Sequence, residues 1–129
     1  MFYLGFDYGE KKIGVAYANE DITYPLEIID NNQETFSKIA EMVELYDVDM
    51  LIVGVSRPGN NDTKISEKAK KFGNALASHV NVVVEFSGEE FSSQDAKILA
   101  ERLNYKSGER IDDVAAAVIL QTYLDDKNN

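Results

Sequence analysis

The side chains best suited to chemistry here are carboxylates, and they occur at three separated places in the chain. Asp7 ends an apolar, aromatic-rich run, Phe2-Tyr3-Leu4-Gly5-Phe6, and is followed by Tyr8-Gly9. Glu89 and Glu90 follow Ser87-Gly88 after a second apolar run, and Asp112-Asp113 open a long apolar stretch near the C-terminus. An acid at the end of a buried strand is costly unless something partners it. Three such acids at one place would repel one another and raise at least one pKa unless divalent cations neutralise them. Oxygen donors without His or Cys favour Mg²⁺ or Mn²⁺ over zinc. Two such ions about 4 Å apart can activate water and stabilise the leaving oxygen of a phosphodiester. Metal-dependent phosphodiester hydrolysis is the chemistry this set suits.

Each acid also has a structural reading. Asp7 can order its own Asp-Tyr-Gly turn, Glu89 can be a solvated residue after a strand, and Asp112 or Asp113 can cap a helix. The trio, rather than any member, carries the functional signal.

The elements that must position these acids can be read from periodicity. Strands are expected near residues 2–7, 12–18 and 22–29, joined by short turns and hence antiparallel, with Pro25 marking the third as an edge. Residues 33–46 switch to helical period through Phe36, Ile39, Ala40 and Val43. Met50–Val55 reads as a central buried strand. Residues 62–79 read as a helix with Ile65, Ala69, Phe72 and Leu76 on one face, and residues 80–86 as a fifth strand. Helices near 93–104 and 113–125 follow, the last apolar nearly all round through Ala115-Ala116-Ala117. This order predicts an α/β fold: a mixed five-stranded sheet, three antiparallel strands then two parallel ones, with helices on both faces. In such architecture function collects at the C-terminal ends of parallel strands, where Asp7 and Glu89 fall.

Bulk properties narrow the class. A chain of 129 residues with 44% hydrophobic and 28% charged residues suits one domain, 1–129, with a substantial core. With no cysteines, disulfides and thiolate metal sites are excluded and a cytoplasmic location is compatible. No apolar run approaches the roughly 20 residues of a membrane span, so no membrane partner is expected. The net charge of −10 opposes unspecific adhesion to nucleic acid. Basic contacts to a nucleic acid would therefore be local. Lys64, Lys68 and Lys71 recur on one helix face, Arg57 precedes them, and Lys11 and Lys12 lie in the first hairpin. The bland alternative for the lysine stripe is a solvated face with a Glu67–Lys71 pair. His79, the lone histidine, is expected to serve its helix C-terminus. Tyr3, Tyr17 and Tyr24 are expected to pack along strands.

The sequence resembles the YqgF family of Holliday-junction resolvases and pre-16S rRNA processing nucleases. Phe6-Asp7-Tyr8-Gly9-Glu10-Lys11-Lys12-Ile13-Gly14-Val15-Ala16 is similar to the family's opening F-D-x-G-T-K-x-I-G-V-A, with Glu10 at the usual Thr. Ile111-Asp112-Asp113-Val114-Ala115-Ala116 and the following Ile119-Leu120-Gln121 resemble its closing V-D-x-x-A-A-x-x-I-L-Q. Gly88-Glu89-Glu90-Phe91-Ser92-Ser93 stands where the family has D-E-R-x-[ST]-[ST], keeping the Glu but replacing the Asp and the Arg. The resemblance implies a ribonuclease-H-like fold with Asp7, Glu89 and Asp112 as catalytic acids and ligands to two Mg²⁺ or Mn²⁺ ions. It implies endonucleolytic action on structured nucleic acid, either an rRNA precursor in ribosome biogenesis or branched DNA, with the ribosome as a further partner and a monomer or homodimer as the working form. A weakly active or inactive binding module of the same fold is the alternative. A nucleotide-binding domain of the actin and sugar-kinase type is disfavoured by the lack of a second D-x-G strand.

Overall fold

The alternation Tyr3-Leu4-Gly5-Phe6-Asp7 sends Leu4 and Phe6 to one side of a strand and Tyr3, Gly5 and Asp7 to the other. Both sides are covered. In the computed structural model, which describes residues 1–55, 63–87 and 111–127 (backbone only at 63–66, 111–114 and 126), this strand is the centre of the sheet. The elements are β1 (Tyr3–Asp7), β2 (Lys12–Ala18), β3 (Thr23–Asp30), α1 (Thr35–Leu45), β4 (Met50–Gly54), α2 (Thr63–Ala77), β5 (Val83–Ser87) and α3 (Ile111–Lys127). The sheet order is β3-β2-β1-β4-β5. β1 is antiparallel to β2 and parallel to β4, and β4 is parallel to β5. This is the mixed sheet the sequence pattern predicts.

β3 is an edge strand, as Pro25 requires. The ladder slips there: Val15 pairs with Glu27 but Ala16 with Pro25, a bulge that leaves Leu26 without a partner beside the residue lacking an N–H. β2 spans the expected residues 12–18, and no other expected boundary is off by more than three residues. β5 begins at Val83 rather than residue 80, because Val80 and Val82 are apolar for another reason: they pack against the core on the approach to the strand. The helix expected near 93–104 lies outside the described residues.

The two faces carry different cores. On one, Leu4, Phe6, Val15, Leu51 and Val53 meet Ile39 and Met42 of α1 and Ala69, Phe72 and Leu76 of α2. On the other, Ala16, Ala18 and Ile52 meet α3 through Ala116, Ala117, Ile119 and Leu120. Residues 115–120 of α3 are all buried, which explains an apolar stretch without a polar stripe.

Candidate active site

α3 can reach the sheet closely because glycines face it. A Cβ at Gly5 would stand 2.8 Å from Leu120 Cβ and 3.3 Å from the Ala116 carbonyl oxygen, and one at Gly54 would stand 2.5 Å from Ile119 Cδ1. The direction of the helix follows from its other end. Tyr123 Oη donates to Met50 Sδ at 3.5 Å, and Lys127 Nζ lies 5.7 Å from the centre of the Tyr3 ring. Met50 and Tyr3 begin β4 and β1, so α3 runs antiparallel to both.

This polarity has a consequence at the opposite end. Moving back one turn from Ala116 to Asp112 covers about 6 Å of helix axis. Moving on from Gly5 to Asp7 covers about 6.5 Å of strand. The backbone of the first turn of α3 therefore stands at the rim where β1 ends. Asp112 and Asp113 are both within that turn, since the helix starts at Ile111. The structural alternative of an N-cap at one of them does not apply, because helical geometry begins before either acid. Negative charge in a first turn is favourable all the same, because the unsatisfied N–H groups there carry partial positive charge.

Asp7 sits at the last position of β1, half-buried, on the side of the sheet that α3 covers. Its register partners are Gly14 on β2 and Gly54 on β4, and Gly54 in turn pairs with Ser87 on β5. Asp7, Gly54 and Ser87 thus form one row across the C-terminal ends of three parallel strands. With strands about 4.8 Å apart, Ser87 is roughly 10 Å from Asp7 at the Cα atoms. Glu89, two residues beyond Ser87, lies outside the described residues, as does Arg57.

Asp7 is held by its neighbours in sequence. Phe6 is fully buried and meets Phe72 edge-on at 6.2 Å, while Tyr8 packs on the same Phe72 at 5.1 Å. The two residues flanking Asp7 are therefore both anchored in the layer of α2, and the carboxylate between them is directed to the other side.

The predicted basic residues separate into groups. Lys68 and Lys71 are exposed on α2 and border a groove of about 480 Å³ with Tyr8, Asn31 and Phe72. Lys68 also pairs with Glu10 in the turn between β1 and β2. Thus two of the predicted stripe residues lie beside the Asp7 rim, and α2 and the first hairpin are tied together by charge. Lys64 is in the first turn of α2 by its backbone. Lys11 is exposed. Lys12 pairs with Asp30 at 2.9 Å, and its ammonium holds the Asp30 carboxyl below the usual aspartate range. His79 stacks on Phe36 at 4.7 Å just past the end of α2, so it joins the α1–α2 layer as a structural residue. Tyr3 is buried, and Tyr17 packs on Tyr24 at 5.2 Å, as expected of strand residues. Glu10 and Asn31, which donates Nδ2–H to the Gly9 carbonyl at 2.9 Å, are additional rim residues that periodicity could not have singled out.

The donor chemistry at this rim fits a hard divalent cation: Asp7 is a carboxylate at a strand end, and the chain has no cysteine and no histidine there. Among the described residues no group of three metal-ligating side chains occurs, and the side chains of Glu89 and Asp112 are not among them. No helix among the described residues is long and apolar enough to cross a membrane.

A family model described as "RuvX: Holliday junction resolvase" matches residues 1–126. Among curated proteins, one from Burkholderia mallei (strain SAVP1) is 35% identical over 127 residues, covering 95% of this chain and 86% of that protein, and is named "Putative pre-16S rRNA nuclease". A protein of the same name from Paraburkholderia xenovorans (strain LB400) matches at the same identity and coverage. Among solved structures, Thermus thermophilus RuvC aligns with a TM-score of 0.63 at 15% identity, covering 98% of this chain and 97% of that one. A Fowlpox virus resolvase in complex with Holliday junction DNA aligns at 0.56 and 16%, with full coverage of both chains. At these identities the structural likeness establishes the fold.

Proposed function

The chain belongs to the RuvX family of Holliday junction resolvases, and from that premise we propose that it is a divalent-metal-dependent endonuclease whose substrate is the precursor of 16S rRNA. The observation that carries the reading is the meeting of two distant segments at one rim: the end of β1 with Asp7, and the first turn of α3 with Asp112. The choice of RNA precursor over branched DNA rests on relatives at 35% identity that bear that name over nearly their whole length.

Asp7, Glu89 and Asp112 would hold Mg²⁺ or Mn²⁺, two ions in all. When bound, the ions supply an activated water and charge stabilisation at the scissile phosphate. The chain's own contribution is positioning. β1 is hydrogen-bonded on both sides, so its last residue cannot drift along the rim. Phe6 and Tyr8 lock the strand end against Phe72, and the Gly5–Ala116 contact fixes how far α3 stands above it. A ligand set held this way is preorganised, and little reorganisation is needed when the substrate arrives. Lys68 and Lys71, with Lys11, Lys12, Lys64 and Arg57, would contact phosphates; such contacts set affinity and register without reading sequence. The net charge of −10 means these few cations must act locally against a repelling background.

The test is cleavage of a pre-16S rRNA 5′-end fragment and of a four-way DNA junction by purified protein in Mg²⁺ and in Mn²⁺. The RNA should be cut in the presence of either ion and not in EDTA, and Asp7→Asn should lower the rate by about 10²–10³-fold, a loss typical of removing one group that stabilises charge. Asp7→Asn protein that cuts at the wild-type rate would contradict the proposal. Cleavage of the junction alone would move the substrate assignment to DNA.

A further inference from the structure

The end of the molecule opposite Asp7 has an unusual surface. There the β2–β3 turn, the α1–β4 loop, the start of β1 and the last turn of α3 come together, because β1 and β4 begin where α3 finishes. Each of the exposed large hydrophobic residues among the described ones is at this end: Met1, Phe2, Ile22 at 50% exposure, Leu45 at 76% and Val83. Met1, Tyr3, Ile22 and Leu124 line a groove of about 610 Å³, with Glu20 and Asp21 on its rim. The apolar surface continues past the groove: Phe2 stacks on Tyr17, and Tyr17 contacts Tyr46, the neighbour of Leu45. Scattered exposed hydrophobics need no explanation, but grouped ones at a single end mark a contact surface.

The charge at this end specifies what could cover it. Glu20, Asp21, Glu44, Asp47, Asp49 and Asp125 are exposed around the apolar residues. The described cations here are Lys127 and the N-terminal amine, and the amine is already bonded to Glu20 at 3.3 Å. A nucleic acid would be repelled, and so would a second copy presenting the same acidic face. A partner with alternating cationic and apolar side chains would satisfy both features at once.

We propose that this end docks a basic, apolar segment of another protein, with aliphatic or aromatic side chains in the Ile22 groove and lysines or arginines against Glu20 and Asp21. The surface is separate from the Asp7 rim, so the proposal stands or falls independently of the nuclease reading.

A fluorescent twelve-residue peptide alternating lysine and leucine serves as probe, followed by anisotropy against the full chain. It should bind, and Asp7→Asn should bind it as the wild type does. Glu20→Gln/Asp21→Asn should weaken binding by roughly tenfold, and Ile22→Ser by roughly fivefold. Glu34→Gln/Glu67→Gln, the same change in charge away from this end, should shift Kd by less than about twofold. No binding of the lysine–leucine peptide, or equal losses in the two double variants, would overturn the proposal. So would tighter binding of a glutamate–leucine peptide or a single-stranded oligonucleotide. A dimer in sedimentation equilibrium that Ile22→Ser abolishes would overturn it in favour of self-association.

Discussion

The two faces of the sheet solve the same problem, covering β1, with opposite materials. The α1–α2 face is built from large side chains, with Phe6, Tyr8 and Phe36 each packed on Phe72. The α3 face instead sets glycines under the helix, with Gly5 beneath Ala116 and Leu120 and Gly54 beneath Ile119. Large rings supply buried area and hence stability. Small residues supply proximity, and proximity is what brings the first turn of a helix to the rim that holds Asp7. One face supplies the large buried rings; the other sets how closely the backbone of α3 approaches β1.

Perturbing each face should separate these roles. Phe72→Ala removes the shared partner of Phe6, Tyr8 and Phe36 and should cost about 3–5 kcal/mol in urea unfolding. The ladder on both sides still holds β1 once the Phe72 anchor is gone, so cleavage measured where this variant is folded should fall by less than in Gly5→Ala. Gly5→Ala should do the reverse. The added methyl meets Leu120 Cβ, which is fixed to the helix backbone, so α3 must shift. The stability cost should be about 1–3 kcal/mol, whereas cleavage should fall by about 10²-fold, as expected when reacting groups are misplaced by about 1 Å. If Phe72→Ala impaired cleavage more than Gly5→Ala at matched folded fraction, the division of labour would be wrong.

Smaller effects sharpen the picture of the rim. Lys68→Ala and Lys71→Ala should each leave the unfolding midpoint nearly unchanged, since exposed ion pairs contribute at most about 1 kcal/mol. Each should nevertheless flatten the salt dependence of RNA binding by about 0.7 in log–log slope, if each contacts one phosphate. The smallest effect concerns Asp30, whose pKa is lowered by the hydrogen bond from Lys12 and then by its charge. A carboxyl with a folded pKa below its unfolded value of about 3.9 stabilises the protein above that pH and loses the contribution as pH falls through the folded value. Lys12→Met should raise the Asp30 pKa in an NMR titration and leave stability at pH 7 almost unaffected, as the pair is exposed.

Much of the scaffold was legible because its patterns are local. Alternation gave β1 and β2, Pro25 marked the sheet edge, and the apolar stretch after Asp113 announced a buried helix. What escaped notice was set by contacts distant in sequence. Val80 and Val82 resembled strand residues because they are buried, though the ladder starts only at Val83. His79 stands just past the end of α2, as its position suggests, but its stacking on Phe36, some forty positions earlier, leaves no local trace. The pairing of Lys68 with Glu10 crosses 58 positions and leaves no periodic trace. Among the acids, Asp7 was recognisable from its place at a strand end. Choosing Asp112 over Asp113 depended on family resemblance, because helix entry at Ile111 puts both in the same turn.

The most direct test of the central claim, that acids from separate segments share a cation, is a calorimetric titration of the protein with Mn²⁺. The account predicts saturable binding that Asp7→Asn, Glu89→Gln and Asp112→Asn each weaken by about tenfold or more while Asp113→Asn does not. Unchanged Mn²⁺ affinity in Asp7→Asn and Asp112→Asn, with the wild type saturating normally, would contradict it.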